Sequence, residues 1–292
     1  MILEGWPVLS LPARVFAFGC DCWQLVKPLR AVTPSLTLAM GALFEPAKRA
    51  EPSAFLLGAG AAALIYFAVS AFNDVVDARE DAVNDPGRPV VSGRLSSSMA
   101  LGIAALLALA GVGLSFAVNP VLGLIALASL GLGLFYCLWA KRNLVSYFTL
   151  GLTHHALPFL AGAALAGGPS LASLLVAGYL YATITPIIAI KDLKDAAGDL
   201  AAGLRTLPAV AGQETASRLV AVGVLFAPLT FWIPGLLLGL SLSFLLAYLA
   251  AGLLRAAYAV ELWRVPQRER VAQANHGLRA LSWCETAAWA LG

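Results

Sequence analysis

The sequence predicts an all-α, polytopic membrane protein of about nine transmembrane helices, bundled around a central cavity that opens to the cytoplasmic side. The chain is 60% hydrophobic and only 12% charged, and its mean hydropathy is +0.83, whereas a soluble domain is about half apolar and a quarter charged. Apolar stretches near the ~20 residues that a membrane-crossing helix needs recur along the chain. These stretches are continuous rather than alternating, which disfavours a membrane β-barrel.

The predicted spans are residues 31–45, 54–75, 99–117, 120–138, 145–167, 171–190, 217–233, 235–254 and 271–291. The last span is unusually polar, since it contains Gln273, Asn275, His276, Arg279 and Glu285. Residues 1–26 carry Glu4 and Arg14 and show no small-residue cleavage site after an apolar core. We therefore expect this N-terminal segment to lie along the membrane surface rather than to act as a cleaved signal peptide.

The basic residues indicate the orientation of the chain. On the nine-span pattern, 16 of the 19 Lys and Arg residues fall on one face, and only Lys48, Arg49 and Arg279 fall elsewhere. The loops on the opposite face, around "VNP", "AGGPS" and "WIPG", carry no basic residue. The positive-inside rule then places the N-terminus and the long charged loops on the cytoplasmic side of the cell membrane. The four cysteines lack the number and spacing of a disulfide framework or a zinc site.

Two acidic stretches share one spacing and follow the second and sixth spans on the same predicted face. Asp74, Asp77 and Asp81 are spaced i, i+3, i+7 in "NDVVDAREDAVNDPGRPVVSG", and Asp192, Asp195 and Asp199 repeat that spacing in "KDLKDAAGDLAAGLRTLP". On a helix this spacing aligns the three carboxylates. Each stretch also has a pair at i, i+4, Asn73 with Asp77 and Asp195 with Asp199. Solvated helix ends are the alternative interpretation, but they do not account for the shared spacing.

Clustered carboxylates at a membrane surface need a counter-charge, and oxygen ligands of this kind suit Mg²⁺ held together with substrate phosphates. Basic residues that flank the two stretches are candidates for binding phosphate oxygens; they are Arg88, Arg94, Lys141, Arg142, Lys194 and Arg205. A metal, a diphosphate site and an adjoining apolar cavity together predict a prenyl diphosphate as the ligand. Its head would bind at the cytoplasmic mouth and its tail between the helices.

The two stretches resemble the paired aspartate-rich motifs of the UbiA superfamily of intramembrane prenyltransferases. The first matches N-D-x-x-D-x-x-x-D followed by an R-P-x-x-S-G-like segment, with "VVSG" where many relatives have I-P-S-G. The second matches D-x-x-D-x-x-G-D-x-x-x-G-x-x-T-L-P. With the span pattern, the likeness covers nearly the whole chain, so residues 1–292 are expected to form one such domain. The interval "DAVNDPGR" resembles the digeranylgeranylglyceryl phosphate synthase and chlorophyll synthase branches.

The resemblance implies a site with two Mg²⁺ ions. It implies that Asn73 and Asp77 bind one ion and that Asp195 and Asp199 bind the other, with further ligands or supporting partners in Asp74, Asp81 and Asp192. Arg88 would bind or orient the diphosphate, and Tyr136, Lys141 and Arg142 match a further polar cluster. The catalytic roles fall to Asp77, Asp195, Arg88 and Lys141. The metal ions would stabilise the leaving diphosphate while an acceptor attacks the allylic cation in a site that excludes water.

The sequence leaves the acceptor open, and we expect a lipophilic or aromatic molecule, with membrane lipid as a further partner and no nucleic acid. Three functions remain: a prenyltransferase, a terpene cyclase that uses the same ionisation without an acceptor, and a cation-coupled transporter. A transporter would place its ionisable groups at mid-membrane rather than at helix ends. His154 and His155 lie early in the fifth span and point about 100° apart on a helix, so both cannot face one ligand.

Overall fold

A computed structural model of the chain describes residues 11–44, 50–201, 203–226, 241–264 and 268–291. Within these ranges the chain is helical and contains no β-strand. The α-helices are α1 (Leu11–Val26), α2 (Val32–Leu43), α3 (Pro52–Val76), α4 (Ala78–Asn84), α5 (Ser97–Val118), α6 (Pro120–Leu138), α7 (Val145–Gly151), α8 (Leu157–Leu165), α9 (Leu171–Ala201), α10 (Leu207–Ala211), α11 (Gln213–Phe226), α12 (Leu242–Trp263) and α13 (Arg268–Leu291).

Six of the described helical segments are long and apolar enough to cross a membrane. They are Pro52–Val76, Ser97–Val118, Pro120–Leu138, Val145–Leu165, Leu171–Leu193 and Phe244–Trp263. The multi-pass all-α prediction is confirmed, although nine is an approximate count. Helix α2, in the first predicted span, is a shorter apolar helix, and α13, in the last, is rich in polar side chains, among them Gln273, Asn275 and Arg279.

The eighth predicted span was placed too early. Helix α12 runs to Trp263, so Arg255 lies inside a membrane-crossing helix rather than in a cytoplasmic loop. The arginine is fully buried and is paired with Glu285 of α13. The predicted span ended before Arg255 because a charged residue lowers the local hydropathy. In the structure Glu285 neutralises this charge, so the helix continues beyond it. The boundary between the seventh and eighth predicted spans, including "WIPG", lies outside the described residues.

Two of the predicted uncharged loops are tight turns. Asn119 accepts hydrogen bonds from the backbone amides of Val121 (2.7 Å) and Leu122 (3.3 Å), so it caps α6. Pro120 suits the first helical position, because its missing N–H has no partner there in any helix. Gly167 and Gly168 have φ values of 105° and 112° between α8 and α9. Only glycine adopts these angles readily, which accounts for "AGGPS" as a reversal of the chain.

The fifth predicted span contains a turn of π-helix. Residues Leu152–Ala156 form this wider turn between α7 and α8, and both histidines of the span lie in it. Pro158 follows two residues later and cannot donate a hydrogen bond to the carbonyl of His154. The lost bond and the bulk of the proline ring favour local widening of the helix. Such π-turns often occur at functional sites.

Helices α2 and α8 cross at glycines that leave no room for a side chain. A Cβ atom on Gly162 would overlap the carbonyl oxygen of Leu38, and one on Gly41 would overlap the carbonyl oxygen of Phe159. Small residues at a membrane helix crossing let the two backbones approach closely. This crossing fixes α2 against the fifth span and therefore fixes one wall of the central cavity.

Substitution of Gly162 by valine is expected to destabilise the fold by about 1–3 kcal/mol, because the added side chain forces the two backbones apart. The measurement is the thermal unfolding midpoint of the purified protein in detergent. Gly60→Ala is the matched control, since a Cβ atom on Gly60 of α3 has no neighbour within 4 Å. An unfolding midpoint for Gly162→Val equal to that of Gly60→Ala would contradict the close crossing.

The apolar exterior of α5 and α6 suits a surface in contact with lipid. Leu106, Leu109 and Leu124 are 69%, 73% and 62% exposed on these helices, and the two helices form their hydrogen bonds internally, as a lipid environment requires. Helix α1 also exposes large apolar side chains, among them Phe16 and Trp23. Its last turn is anchored to the bundle, because Leu25 is fully buried in a cluster that includes Ala71 of α3 and Leu95.

Candidate active site

The first acidic stretch occupies the end of α3 and the short helix α4. Helix α3 ends at Val76, and Asp77 joins the two helices with φ −88° and ψ 1°. The amide of Asp77 still donates to the carbonyl of Asn73 (2.9 Å), and that of Asp81 donates to Asp77 (2.8 Å). Asp74, Asp77 and Asp81 therefore remain close together across the junction. The side chain of Asn73 donates to Asp77 at 2.9 Å, which confirms contact within the predicted i, i+4 pair.

Three cations neutralise the carboxylates of this stretch. Lys27 pairs with Asp74, Arg88 pairs with both Asp74 (3.1 Å) and Asp81, and Lys141 pairs with Asp77. The lysine and arginine side chains come from three separate loops, so the pairing draws those loops onto the end of α3. Asp74 is 1% exposed and Asp81 is 8% exposed, and buried charges of this kind need such partners.

The segment after α4 is folded to present Arg88. The carbonyl of Arg88 accepts hydrogen bonds from the amide of Ser92 (2.9 Å) and from its hydroxyl (2.8 Å). The amide of Leu95 donates to the carbonyl of Pro89 at 3.0 Å. Gly93 has φ 75°, a left-handed conformation that favours glycine. The "RPVVSG" sequence thus forms a compact turn that holds the guanidinium against α3 and α4.

The loop between α6 and α7 connects the two acidic stretches. Lys141 lies on Asp77 and also contacts Glu80 (3.3 Å), and Arg142 pairs with Glu80 (3.0 Å). The backbone carbonyl of Arg142 accepts a hydrogen bond from the amide of Arg205 (3.0 Å), in the segment that follows the second stretch. One short loop therefore contacts both motifs, which brings them to the same end of the bundle.

The three aspartates of the second acidic stretch lie in the last three turns of α9. Asp192 is 7% exposed and accepts a hydrogen bond from the Tyr147 hydroxyl at 2.7 Å. That hydroxyl accepts in turn from the amide of Leu207 at 2.9 Å, so Tyr147 links α9 to the start of α10. Asp195 is exposed and Asp199 is half-buried. The side chains of this motif therefore range from fully packed to open to the solvent.

The two motifs contain carboxylate oxygens that suit a cation. Asp74 and Asp199 each have one buried oxygen, Oδ2, without a hydrogen-bond partner among the described residues. Burial raises the pKa of the Asp81 carboxyl; the Asp74 carboxylate adds to this effect, and Arg88 offsets part of it. Burial also raises the pKa of Asp199, with a further increase from Asp195. A bound cation would relieve both the unsatisfied oxygens and the mutual repulsion.

The motif side chains are not arranged as a preformed protein cage for a metal ion. Within the described ranges, no three His, Cys, Asp or Glu side chains lie close enough to hold a metal by themselves. Lysine and arginine side chains lie against Asp74, Asp77 and Asp81 instead. Mg²⁺ is commonly held by one or two carboxylates together with substrate phosphates and water. The residues fit a metal that binds with a phosphate ligand.

A cavity of about 680 Å³ opens beside the motifs and extends between the helices. Asn73 of the first motif and Lys191, which precedes Asp192, both line it, as does Tyr136. Most of the remaining wall is apolar and small, with Ala62, Ala63 and Ile187 among its members. The cavity thus has polar and charged side chains beside the motifs and a largely apolar remainder, and Tyr136 belongs to its wall.

Some predicted phosphate-binding residues have other positions. Arg94 donates to Asp21 (2.7 Å) and Gln24 (3.0 Å) of α1 and to the carbonyl of Gly87 (2.9 Å), so it anchors α1 to the Arg88 loop. The side chain of Arg205 is exposed, and only its backbone amide contacts the loop of Arg142. The side chain of Lys194 lies outside the description. Of the predicted phosphate-binding residues, Arg88 and Lys141 are the ones that pair with aspartates of the first motif.

The sequence prediction missed Lys27 and Tyr147 as members of the site. Lys27 is separated from Asp74 by 47 positions, and its left-handed φ of 51° is the one positive value at a non-glycine residue of the described chain. Tyr147 and Asp192 lie 45 positions apart. The signal for Lys27 was its position beside Pro28, directly before the first span. Tyr147 has no local signal that separates it from a packing residue.

The two histidines have different surroundings. The Nε2 atom of His154 lies 2.7 Å from the hydroxyl oxygen of Tyr66, and its Nδ1 atom lies 3.1 Å from the hydroxyl oxygen of Thr153. His155 is buried, and its ring centroid lies 6.2 Å from that of Trp283. Both residues line the cavity, as Tyr66 and Trp283 do. The wider π-turn allows adjacent residues to reach one cavity, which the 100° separation in a regular helix did not predict.

Comparison with known proteins identifies the family. The chain matches the UbiA prenyltransferase family over residues 35–283. The protein belongs to this family. It is therefore a multi-pass membrane prenyltransferase, and the resemblance inferred from the two motifs is confirmed.

Relatives of this UbiA family member include digeranylgeranylglyceryl phosphate synthases. The protein of that name from Halobacterium salinarum is 33% identical over 212 residues, which cover 70% of this chain and 74% of the relative. The one from Methanosarcina barkeri is 36% identical over 204 residues, which cover 67% of this chain and 68% of the relative. These matches cover at least two thirds of each chain.

Solved structures share the fold of this UbiA family member. A structure described as digeranylgeranylglyceryl phosphate synthase in membranes superposes with a TM-score of 0.82, at 21% identity, and covers 94% of this chain and 97% of that one. A UbiA homolog from Archaeoglobus fulgidus, bound to DMAPP and Mg²⁺, superposes with a TM-score of 0.71 at 16% identity, and covers 91% of this chain and 99% of that one.

Proposed function

We propose that this UbiA family member transfers a prenyl group from a prenyl diphosphate to a hydroxyl group of a prenylated glyceryl phosphate, with release of diphosphate. One observation carries this proposal: a charged layer of Lys27, Arg88 and Lys141, interleaved with aspartates, adjoins an apolar cavity of about 680 Å³, since Asp77 of this layer accepts a hydrogen bond from Asn73 of the cavity wall. A diphosphate head fits the charged layer, and an isoprenoid tail fits the cavity. The acceptor class follows the names of the relatives.

The basic residues of the charged layer bind and orient the diphosphate. Arg88 has its guanidinium fixed by the turn that follows it, so it presents a planar pair of donors to phosphate oxygens. Lys27 and Lys141 supply point charges on either side of Asp74 and Asp77. Arg142 is more exposed and lies next to Lys141, where it faces Glu80. Diphosphate binding would draw these cations from carboxylates toward phosphate oxygens.

We assign the metal ligands to the two motifs. Asn73 and Asp77 would hold one Mg²⁺ and Asp195 and Asp199 a second, with Asp74, Asp81 and Asp192 as further ligands or supporting partners. When bound, Mg²⁺ supplies Lewis-acid stabilisation of the charge that develops on the diphosphate. The unsatisfied buried oxygens of Asp74 and Asp199 support this assignment. Tyr147 positions Asp192, since its hydroxyl bridges that carboxylate and the amide of Leu207.

The transfer step breaks the allylic C–O bond of the donor and forms a C–O bond to the acceptor. The bonding electrons leave with the diphosphate, the acceptor oxygen attacks the allylic carbon, and its proton passes to a diphosphate oxygen. The apolar wall excludes water from the cation that develops at this carbon. The excess of basic residues at this end of the bundle supports a cytoplasmic location for the charged layer.

Purified protein in detergent is expected to release diphosphate from prenyl diphosphates only when Mg²⁺ and a prenylglyceryl phosphate acceptor are both present. The assay measures diphosphate and identifies products by mass spectrometry, over a series of prenyl chain lengths. A product with the combined mass of donor and acceptor minus diphosphoric acid supports the proposal. A cyclic hydrocarbon formed without acceptor would establish a cyclase instead. Failure to release diphosphate under all conditions would contradict both.

A further inference from the structure

The last helix contributes an arginine to the cavity wall without a carboxylate to neutralise it. Arg279 of α13 and Lys191 of α9 are the two side chains with permanent positive charge in the described cavity wall. The Nε atom of Arg279 donates to the side chain of Asn275 at 3.1 Å. Among the described residues, no carboxylate lies within 4.0 Å of the Arg279 guanidinium, and its terminal nitrogens have no hydrogen-bond partner. The guanidinium is thus oriented by Asn275 but keeps its Nη donors for another group.

The other arginine deep in the bundle provides a contrast. Arg255 is fully buried, and its Nε atom bonds Glu285 at 2.8 Å while Nη2 bonds both Glu285 and Ser282. The chain therefore neutralises an arginine where the charge has only a structural role. An intramembrane cation that lines a cavity and lacks such a partner indicates a binding site for an anionic group.

Arg279 lies deeper than the diphosphate layer. It is 11 residues from the start of α13, or about 16 Å along the helix axis. Trp283, one turn further, contacts His155. His155 lies eight residues, about 12 Å, from Tyr147, whose hydroxyl bonds Asp192. Arg279 is accordingly about one helical turn below the second motif.

This depth separates Arg279 from the cations of the donor site. Lys27, Arg88 and Lys141 lie on the first motif and are not among the residues of the cavity wall that contains Arg279. A donor whose diphosphate lies on these three cations would extend its prenyl chain into the cavity toward Arg279. An anion bound to Arg279 would then belong to a second molecule.

We propose that Arg279, oriented by Asn275, binds the oxyanion of the acceptor and makes this UbiA family member selective for acceptors that carry a phosphate or carboxylate group. The inference rests on the proposed function, because it assigns the acceptor half of the same cavity. Two terminal Nη donors beside an apolar wall match an anionic head group attached to an isoprenoid or aromatic body. Selectivity follows because a neutral acceptor would leave the guanidinium in the cavity without an anionic partner.

The test compares Arg279→Met with Arg279→Lys and with the control Arg270→Met. Arg270 lies on the same helix but is 66% exposed and faces Glu261 at 3.7 Å, so its loss should leave activity unchanged. Steady-state rates are measured with a prenylglyceryl phosphate, with the matching prenylglycerol that lacks the phosphate, and with a prenylatable aromatic carboxylate. Thermal unfolding midpoints confirm that each variant is folded.

For Arg279→Met we expect the KM of the anionic acceptor to rise roughly 10- to 100-fold, the range for loss of a charge-assisted hydrogen bond. The KM of the donor should not change, and turnover of the neutral prenylglycerol should not fall. Arg279→Lys should restore part of the acceptor affinity. Comparison of the phosphate acceptor with the carboxylate acceptor shows which anion the site binds. A selective loss of affinity for either anionic acceptor supports the proposal.

Equal losses for the charged and neutral acceptors would overturn the proposal, as would a rise in the KM of the donor or an unchanged acceptor KM. If Arg279→Met fails to fold, Arg279→Lys and the wild-type preference for anionic over neutral acceptors decide the question. A wild-type protein that prefers the neutral acceptor contradicts the inference. Failure of the proposed function is distinct, because the wild-type protein would then release no diphosphate with any acceptor.

Discussion

Replacing Asp77 with alanine is expected to lower the rate of diphosphate release by about 100-fold or more, the magnitude typical of losing a group that stabilises developing charge. Asp77 is the junction of the first motif, where it accepts a hydrogen bond from Asn73 (2.9 Å) and contacts Lys141. Its removal takes away a proposed Mg²⁺ ligand and leaves Lys141 without its nearest carboxylate. The substitution should therefore affect both the binding of Mg²⁺ and the orientation of the Lys141 side chain.

The measurement is single-turnover diphosphate release at saturating donor over a range of Mg²⁺ concentrations. Asp77→Asn keeps the shape and one oxygen ligand, so it should retain more activity than Asp77→Ala and require more Mg²⁺. Glu214→Gln is the control, because Glu214 is an exposed acidic residue of α11 whose partner is Arg218 (2.6 Å). If Asp77→Ala kept at least half of the wild-type rate, the assignment of the first motif as a metal site would be wrong.

Loss of Glu285 is expected to destabilise the fold by about 3–5 kcal/mol, because it leaves Arg255 as an uncompensated buried charge. Arg255 is 0% exposed and Glu285 is 4% exposed. The carboxylate accepts from Nε of Arg255 at 2.8 Å and lies 3.4 Å from the Tyr179 hydroxyl, which also donates to it. The pair joins α12 and α13, and Tyr179 joins both to α9. Glu285→Leu should therefore lower the unfolding midpoint of the whole bundle.

A double variant separates the interaction energy of the Arg255–Glu285 pair from the effects of the two single substitutions. Arg255→Met combined with Glu285→Leu removes both charges, and it should recover most of the stability lost by Glu285→Leu alone. The four proteins are the wild type, Arg255→Met, Glu285→Leu and the double variant. Their unfolding in detergent, followed by the change in tryptophan fluorescence, gives the coupling energy of the pair. Glu214→Gln, which breaks an exposed pair, should change stability by less than about 1 kcal/mol. If the double variant were no more stable than Glu285→Leu, the buried pair would not be the source of the effect.

The sequence predicted the membrane architecture well where the signal was continuous along one helix. Spans 54–75, 99–117 and 120–138 agree with α3, α5 and α6 to within about two residues at each end, because every residue of such a helix contributes to the same apolar run. The prediction was wrong at Arg255, where a single charge was taken as the end of a helix. A hydropathy average depends only on residues that are neighbours along the chain. It therefore contains no information about a charged partner on another helix.

The two acidic motifs were also predictable, since the i, i+3, i+7 spacing is a local property. Their relation to each other was inferred from loop counting, and in the structure the loop of Lys141 and Arg142 contacts both. The cations that pair with Asp74, Asp77 and Asp81 come from positions 7 to 64 residues from their partners. The position of Lys27 beside Pro28, before the first predicted span, indicates a basic residue near the membrane surface but does not indicate its partner, so its contact with Asp74 was not predicted.

The sequence by itself determined that this is a multi-pass helical protein, that it belongs to the UbiA family, and that the family's two acidic motifs lie after its second and sixth predicted spans. These properties follow from hydrophobic runs and residue spacing, which act over a few turns of chain. Only the tertiary structure decided which cation neutralises which carboxylate, that Arg255 is paired with Glu285, and that Arg279 lines the cavity with its Nε atom bonded to Asn275. Those outcomes depend on which helices are neighbours and which side chains meet when they pack, because electrostatic and hydrogen-bond energies are set by distance in space.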